Sequence, residues 1–156
     1  MDLPVRVTIA RQVTVLIPTR NEAANVLPLL DRLVPALQGL DAEVLFVDDS
    51  DDSTPEQVRR AARVCSLPVR LLHREGAARR GGLGGAVEAG LQASCGRWVV
   101  VMDGDLQHPP ETIPALLAAG GAARAWPAGA GRRSVAVRPR SRSWSSPAAW
   151  AGRPTR

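Results

Sequence analysis

Four short apolar runs, each closing in a polar cluster and each parted from the next by a helical pattern, constrain this chain more than anything else in it. Residues 13–18 (Val-Thr-Val-Leu-Ile-Pro) form a β-branched run stopped by proline, and 43–48, 69–73 and 97–102 are the others. After the first run, apolar residues at 26, 29, 30, 33 and 37 repeat with the period of a helix. Pro28 suits a first turn there, and Pro35 predicts a kink or an end. Ser53-Thr54-Pro55 opens a second helix, with Val58, Ala61 and Ala62 on one face. A glycine-rich turn at 81–85 leads into a third through Val87 and Leu91, and a last short helix begins near Glu111. Connections of this length are too long for hairpins. The pattern predicts an α/β fold, a parallel sheet with helices on both faces, and contains no internal repeat.

Ligands of such sheets bind beyond the carboxyl ends of the strands. The unusual polar clusters, 18–22, 48–52, 73–80 and 103–108, all fall at such ends. Asp103 and Asp105 stand two apart just past an apolar strand, so continued alternation puts both carboxylates on one side. Paired hard oxygens without a neighbouring thiolate suit Mg²⁺ or Mn²⁺, especially when a diphosphate adds ligands, and Gln107 can contribute a carbonyl oxygen. An isolated Asp-x-Asp is usually a solvated turn; its place after an apolar strand in this order favours the metal reading. Of the four acids at 48–52, Asp48 and Asp49 are expected to meet a ribose or base, and Asp51 and Asp52 to cap the next helix. Glycines 81, 82, 84 and 85 lack the spacing of a dinucleotide fingerprint, leaving tight packing or a phosphate-facing helix start. Arg74, Arg79 and Arg80 are candidates for phosphate or plain surface residues. His108, before two prolines, reads as a structural loop residue.

Composition removes other chemistries. All twenty basic residues are arginines, so there is no phosphate-loop lysine and no Schiff base. Two cysteines and two histidines without zinc spacing exclude a disulfide framework and argue against a structural zinc. No run of about eighteen apolar residues exists to span a membrane. The amino-terminal residues lack the pattern of an export signal, and with two isolated thiols this predicts a cytoplasmic protein. The net charge of +5 is misleading as a sum. Up to Glu111 fifteen acids outweigh twelve arginines, whereas the remainder holds eight arginines, three of the four tryptophans and no acid. The basicity therefore lies in a tail, and a boundary falls near Gly120, giving an ordered region 1–119 and a tail 120–156 expected to be disordered. A phosphate-neutralising arm, a linker, or residues read out of frame from GC-rich DNA would each give this composition, and the last is the reading adopted. The tail is assigned no function, and no nucleic-acid partner is expected.

Taken in order, Ile17-Pro18-Thr19-Arg20-Asn21-Glu22, Val47-Asp48-Asp49-Ser50-Asp51-Asp52-Ser53-Thr54, Gly82-Leu83-Gly84-Gly85-Ala86-Val87 with Gly90, and Met102-Asp103-Gly104-Asp105-Leu106-Gln107-His108-Pro109-Pro110-Glu111 resemble the family 2 glycosyltransferases. The last motif looks most like the polyprenyl-phosphate branch, that of the dolichol-phosphate mannose synthases. Each motif is loose by itself; four in the right order are specific. The resemblance covers roughly residues 11–119, and past that point the chain looks truncated or frame-shifted.

The resemblance implies a GT-A (Rossmann-like) fold, here only its nucleotide-binding half. It implies metal-dependent, inverting transfer of a sugar from a GDP- or UDP-sugar to a polyprenyl or dolichyl phosphate at the cytoplasmic face of a membrane. Position by position, Pro18, Arg20 and Glu22 would line the nucleotide pocket, Val47 and Asp49 would meet base and ribose, and Gly104 would lie among the donor-binding positions. Asp103 and Asp105 would be the catalytic carboxylates, holding Mg²⁺ or Mn²⁺ on the diphosphate with help from Gln107. Relatives often carry an aromatic residue where this chain has Arg20, which turns that position from stacking towards phosphate. With the acceptor half replaced by the tail, the chain is expected to be poorly stable and inactive alone, with the strand before Asp103 left as a bare edge. The alternative is a non-catalytic nucleotide-binding module completed by a partner chain.

Overall fold

The computed structural model describes residues 11–118 and the strand Ala136–Pro139. The β-branched runs become β1 (Arg11–Thr19), β2 (Ala42–Asp48), β3 (Val69–His73) and β4 (Gly96–Val101), all parallel, with β5 (Ala136–Pro139) antiparallel beside β4. The order across the sheet is β3-β2-β1-β4-β5. Helices α1 (Val26–Ala36), α2 (Thr54–Val64) and α3 (Gly82–Ala93) make the crossovers, and α4 (Ile113–Ala118) follows β4. Pro35 sits one residue from the end of α1, as a residue that cannot extend a helix should.

Strand alternation divides the apolar side chains between two cores. Val13, Val15 and Ile17 of β1 join Val44 and Phe46 of β2 and Val100 of β4 beneath α1 and α2, with Met102 just past β4 beside them. Leu16, Leu45, Val47, Val99 and Val101 point the other way, towards Ala86, Val87 and Leu91 of α3. All seven residues of β2 are buried, as expected of an interior strand covered on both faces. Helix α3 lies close because Gly90 has no side chain: a Cβ there would stand 2.4 Å from Leu16 Cδ1 and 2.8 Å from Val47 Cγ2. At the amino end of this second core, buried Glu43 accepts hydrogen bonds from Thr14 Oγ1 (2.7 Å), the Cys95 amide (3.0 Å) and Arg70 (3.2 Å). Burial pushes its carboxyl up, but these donors outweigh burial and hold it below the usual range.

Two expectations change. The glycine-rich turn is shorter than 81–85: α3 begins at Gly82, so Gly84 and Gly85 are helical and only Gly81, at φ +85°, caps the start. The strand before Asp103 is not a bare edge either, because Ala136–Pro139 pairs along it from Val101↔Ala136 to Trp98↔Pro139. Four residues of the tail thus form a strand; its other residues lie outside those described. Among the described residues no helix is long and apolar enough to cross a membrane.

Candidate functional site

The chain leaves β1 towards β2 on one side and returns to β4 on the other, so the carboxyl ends of β1 and β4 flank the point where the strand order reverses. A crevice outside such a point is where ligands of open parallel sheets bind. Pro18 is half-buried at the end of β1, and Arg20 beyond it is exposed. Asn21 turns the chain at φ +57°, a conformation asparagine tolerates better than most residues. Its amide donates to Ser50 Oγ (2.7 Å), its Oδ1 accepts from the Asp51 amide (3.0 Å), and the Glu22 amide donates to Thr54 Oγ1 (3.0 Å). These bonds bind the loop after β1 to the loop after β2. Glu22 also accepts from Asn25 Nδ2, so its carboxylate turns partly towards its own helix.

The four acids after β2 are all satisfied within the chain. Asp48 is fully buried and accepts from Thr19 Oγ1 (2.8 Å), Ser50 Oγ (2.5 Å) and the Ser50 amide (3.2 Å), with His73 Nδ1 at 2.7 Å. It is a structural hub rather than a ligand contact. Asp49, 7% exposed, is gripped by the guanidinium of Arg74, 5% exposed, through Nε (2.7 Å) and Nη2 (2.5 Å). Arg74 also donates to the Gly82 carbonyl (3.0 Å), tying β2, β3 and the start of α3 together. Asp49, expected to meet a base or ribose, is thus also the ion-pair partner of Arg74, one guanidinium N–H on each oxygen. Arg79 donates to Asp51 (2.6 Å), the Ser50 carbonyl (2.7 Å) and the Arg74 carbonyl (2.9 Å), and its hydrogen bond holds the Asp51 carboxyl below the usual range. Asp51 is thus an ion-pair partner, not a helix cap. Asp52 does serve the helix start, accepting from the Thr54 amide (2.9 Å) and hydroxyl, which depresses its carboxyl. Val47 is corrected as well: it is wholly buried under α3, because alternation from Leu45 turns it to the second core.

The acids after β4 are arranged differently. Asp103 and Asp105 are half-buried, and among the described residues neither pairs with an arginine. Among the described residues, Asp105 accepts one hydrogen bond, from the Gln107 amide (3.0 Å), and Asp103 accepts none. Burial pushes the Asp103 carboxyl above its usual range; His108 pulls it down and Asp105 pushes it up further. Gly104 between them is buried, and a Cβ there would come within 3.2 Å of Thr19 Cγ2 and 3.4 Å of Ile17 Cγ2. The missing side chain lets this loop lie against the end of β1. Gln107 is exposed. Among the described residues two adjacent, part-buried carboxylates stand without an arginine partner, a donor set that fits a hard divalent ion with open positions.

One residue here went unmarked by sequence, and the burial of another was not foreseen. Arg32 of α1 holds Glu111 with both arms (Nε 3.0 Å, Nη2 2.9 Å) and reaches the Leu106 carbonyl (3.4 Å), which fastens both ends of the loop after Asp105. His108, read from the sequence as a structural loop residue, is buried in its loop, with Nδ1 3.9 Å from Asp103 Oδ2. A helical arginine and a histidine before proline carry no local signal of either role.

The profile of glycosyl transferase family 2 matches residues 14–147, further than the motifs alone reach and through β5. The chain belongs to that family. A dolichol-phosphate mannosyltransferase of Pyrococcus furiosus is 43% identical over 109 residues, covering 69% of this chain and 30% of the relative. An undecaprenyl-phosphate 4-deoxy-4-formamido-L-arabinose transferase of Aeromonas hydrophila is 39% identical over 112 residues, 69% of this chain and 33% of the relative. Among solved structures, a mannosyltransferase of Pyrobaculum calidifontis in complex with GDP-mannose and Mn²⁺ superposes with a TM-score of 0.55 at 31% identity, covering 69% of this chain and 32% of that one. Glucosyl-3-phosphoglycerate synthase of Mycobacterium tuberculosis, in complex with Mn²⁺ and UDP, gives 0.55 at 26%, covering 72% and 40%. The family 2 fold here is the GT-A fold, and the chain spans about a third of the length of the curated relatives it matches.

Proposed function

We propose that this chain is the donor-binding part of an inverting glycosyltransferase that moves a sugar from a GDP- or UDP-sugar to a polyprenyl phosphate. One observation carries the reading. Where Asp49 and Asp51 are each paired with an arginine, Asp103 and Asp105 at the reversal point have no arginine partner among the described residues. Asp103, Asp105 and the carbonyl oxygen of Gln107 would hold Mg²⁺ or Mn²⁺ against the donor diphosphate. When bound, the cation neutralises charge on the departing nucleoside diphosphate. Pro18, at the end of β1, and the exposed Arg20 beyond it would contact the nucleotide, with Glu22 behind them. Gly104 would let the loop lie flat beneath it.

The acceptor phosphate oxygen forms its bond to the anomeric carbon as the bond to the diphosphate breaks, with the electron pair leaving on the nucleotide. A single displacement of this kind inverts the centre. A phosphate monoester, with a second pKa of about 6, is already ionised at neutral pH and needs no base. The family relatives named for dolichol- and undecaprenyl-phosphate support this acceptor class. Such an acceptor would bring the protein to a membrane surface.

Calorimetric titration of the 156-residue chain with GDP and with UDP tests the reading. Uptake of one nucleotide that requires Mn²⁺ and disappears when Asp103 and Asp105 become alanine is expected. Absence of uptake, or uptake indifferent to both substitutions, contradicts it.

A further inference from the structure

His108 occupies a position that its own bonding does not explain. It is 8% exposed, and its Nδ1 is the one buried side-chain polar atom among the described residues without a hydrogen-bond partner. Leaving such an atom unsatisfied costs about 1–3 kcal/mol. The group that faces it is Asp103, whose Oδ2 stands 3.9 Å away and whose carboxylate accepts no hydrogen bond among the described residues. An N–H···O bond forms out to about 3.2 Å, so the orphaned nitrogen stands less than an ångström beyond hydrogen-bonding distance of that carboxylate.

The surroundings decide which of the two can move. Leu106, at φ +62°, turns the chain just before His108, and Pro109 and Pro110 follow it. Arg32 fastens the Leu106 carbonyl on one side of the histidine and Glu111 on the other. The loop that carries the imidazole is therefore tied on both sides and the ring is buried, whereas the Asp103 side chain is 35% exposed and has solvent beside it into which to turn.

We propose that His108 is a positioning residue for Asp103: Nδ1–H engages one carboxylate oxygen and thereby fixes the lone pairs that Asp103 presents to a divalent cation. This rests on Asp103 being a cation ligand, as set out above. Outer partners of this kind orient a ligating carboxylate, and their loss weakens metal binding about ten- to a hundredfold. The same bond removes the cost of the orphaned nitrogen, so cation binding and satisfaction of His108 are coupled.

Mn²⁺ titration of the full chain, with free ion read by electron paramagnetic resonance, tests this. His108→Asn keeps an amide donor where Nδ1 stands, and its affinity is expected to stay within about threefold of the original, whereas His108→Gln, which puts the amide where Nε2 stands, should lose about ten- to a hundredfold. His108→Phe should match the glutamine variant; the Asn and Gln pair, both polar and close in size, decides the matter if the phenylalanine form does not fold. Equal affinity in the Asn and Gln variants, with Asp103→Asn still losing the ion, overturns the positioning role and leaves Asp103 as a ligand. Binding indifferent to Asp103→Asn overturns both. Pulsed measurements on the loaded protein should show no imidazole nitrogen bound to the manganese, and a directly coordinated nitrogen would also overturn the role.

Discussion

The carboxylates that follow β2 and those that follow β4 share one edge of one sheet, and the chain treats them in opposite ways. Asp48 takes bonds from Thr19, Ser50 and His73, Asp49 takes the two arms of Arg74, Asp51 takes Arg79, and Asp52 takes Thr54. Among the described residues, Asp103 and Asp105 receive one amide between them. An acid that the fold neutralises is part of the architecture, since a buried charge is tolerated only when paired. An acid kept part-buried beside a like charge, with no arginine partner among the described residues, costs stability that a bound cation would offset. The number of acids in a cluster is thus a poor guide to function; their unmet charge is a better one.

The largest effect should come from the neutralised side. Arg74→Met leaves Asp49 buried and unpaired, and denaturant unfolding should show a loss of about 3–5 kcal/mol. A loss below about 1 kcal/mol, the level of a surface pair, would mean that Asp49 is not architectural. Next, Asp103→Asn together with Asp105→Asn should weaken Mn²⁺ binding at least a hundredfold, about 2.7 kcal/mol. The same change should not destabilise the fold. Burial holds the Asp103 carboxyl above its ordinary value, so the fold favours the protonated form and loses stability as pH rises through the raised value. Asp103→Asn alone should therefore raise the melting temperature at neutral pH in metal-free buffer; a fall would show that Asp103 is structural.

Glu43 supplies the opposite sign from the other end of the sheet. Its carboxyl is depressed, so its contribution is present above the ordinary glutamate value of about 4.3 and is lost as pH falls through the lower folded value. Glu43→Gln should cost about 1–3 kcal/mol at neutral pH, narrowing towards zero in acid, as followed by unfolding at several pH values. A pH-independent difference would assign the effect to packing alone. The smallest effect is expected from Arg32→Ala, which frees the loop between Leu106 and Glu111. Its Mn²⁺ affinity should drop modestly while the circular dichroism spectrum stays unchanged.

Much of the fold was legible because periodicity reports burial. The residues at 26, 29, 30, 33 and 37 are all in the core beneath α1, and the four parallel strands lie within two residues of the runs that suggested them. What escaped depends on register. The parallel pairing of Asp48 with His73 is what brings Arg74 beside Asp49, and no local pattern announces it. Val47 was taken for a pocket residue although alternation from Leu45 already pointed it into the second core. β5 is four residues long in an arginine-rich tail and is defined only by its partner in β4. Arg32 meets Glu111 across 79 residues of sequence, and the burial of His108 is a property of the loop that Arg32 secures.

The contrast between the two acidic clusters is tested most directly by Mn²⁺ titration of two double variants side by side, Asp103→Asn with Asp105→Asn and Asp51→Asn with Asp52→Asn. The ion should be lost from the first and bound by the second as tightly as by the unaltered chain. Equal binding by both, or loss confined to the second, would contradict the account.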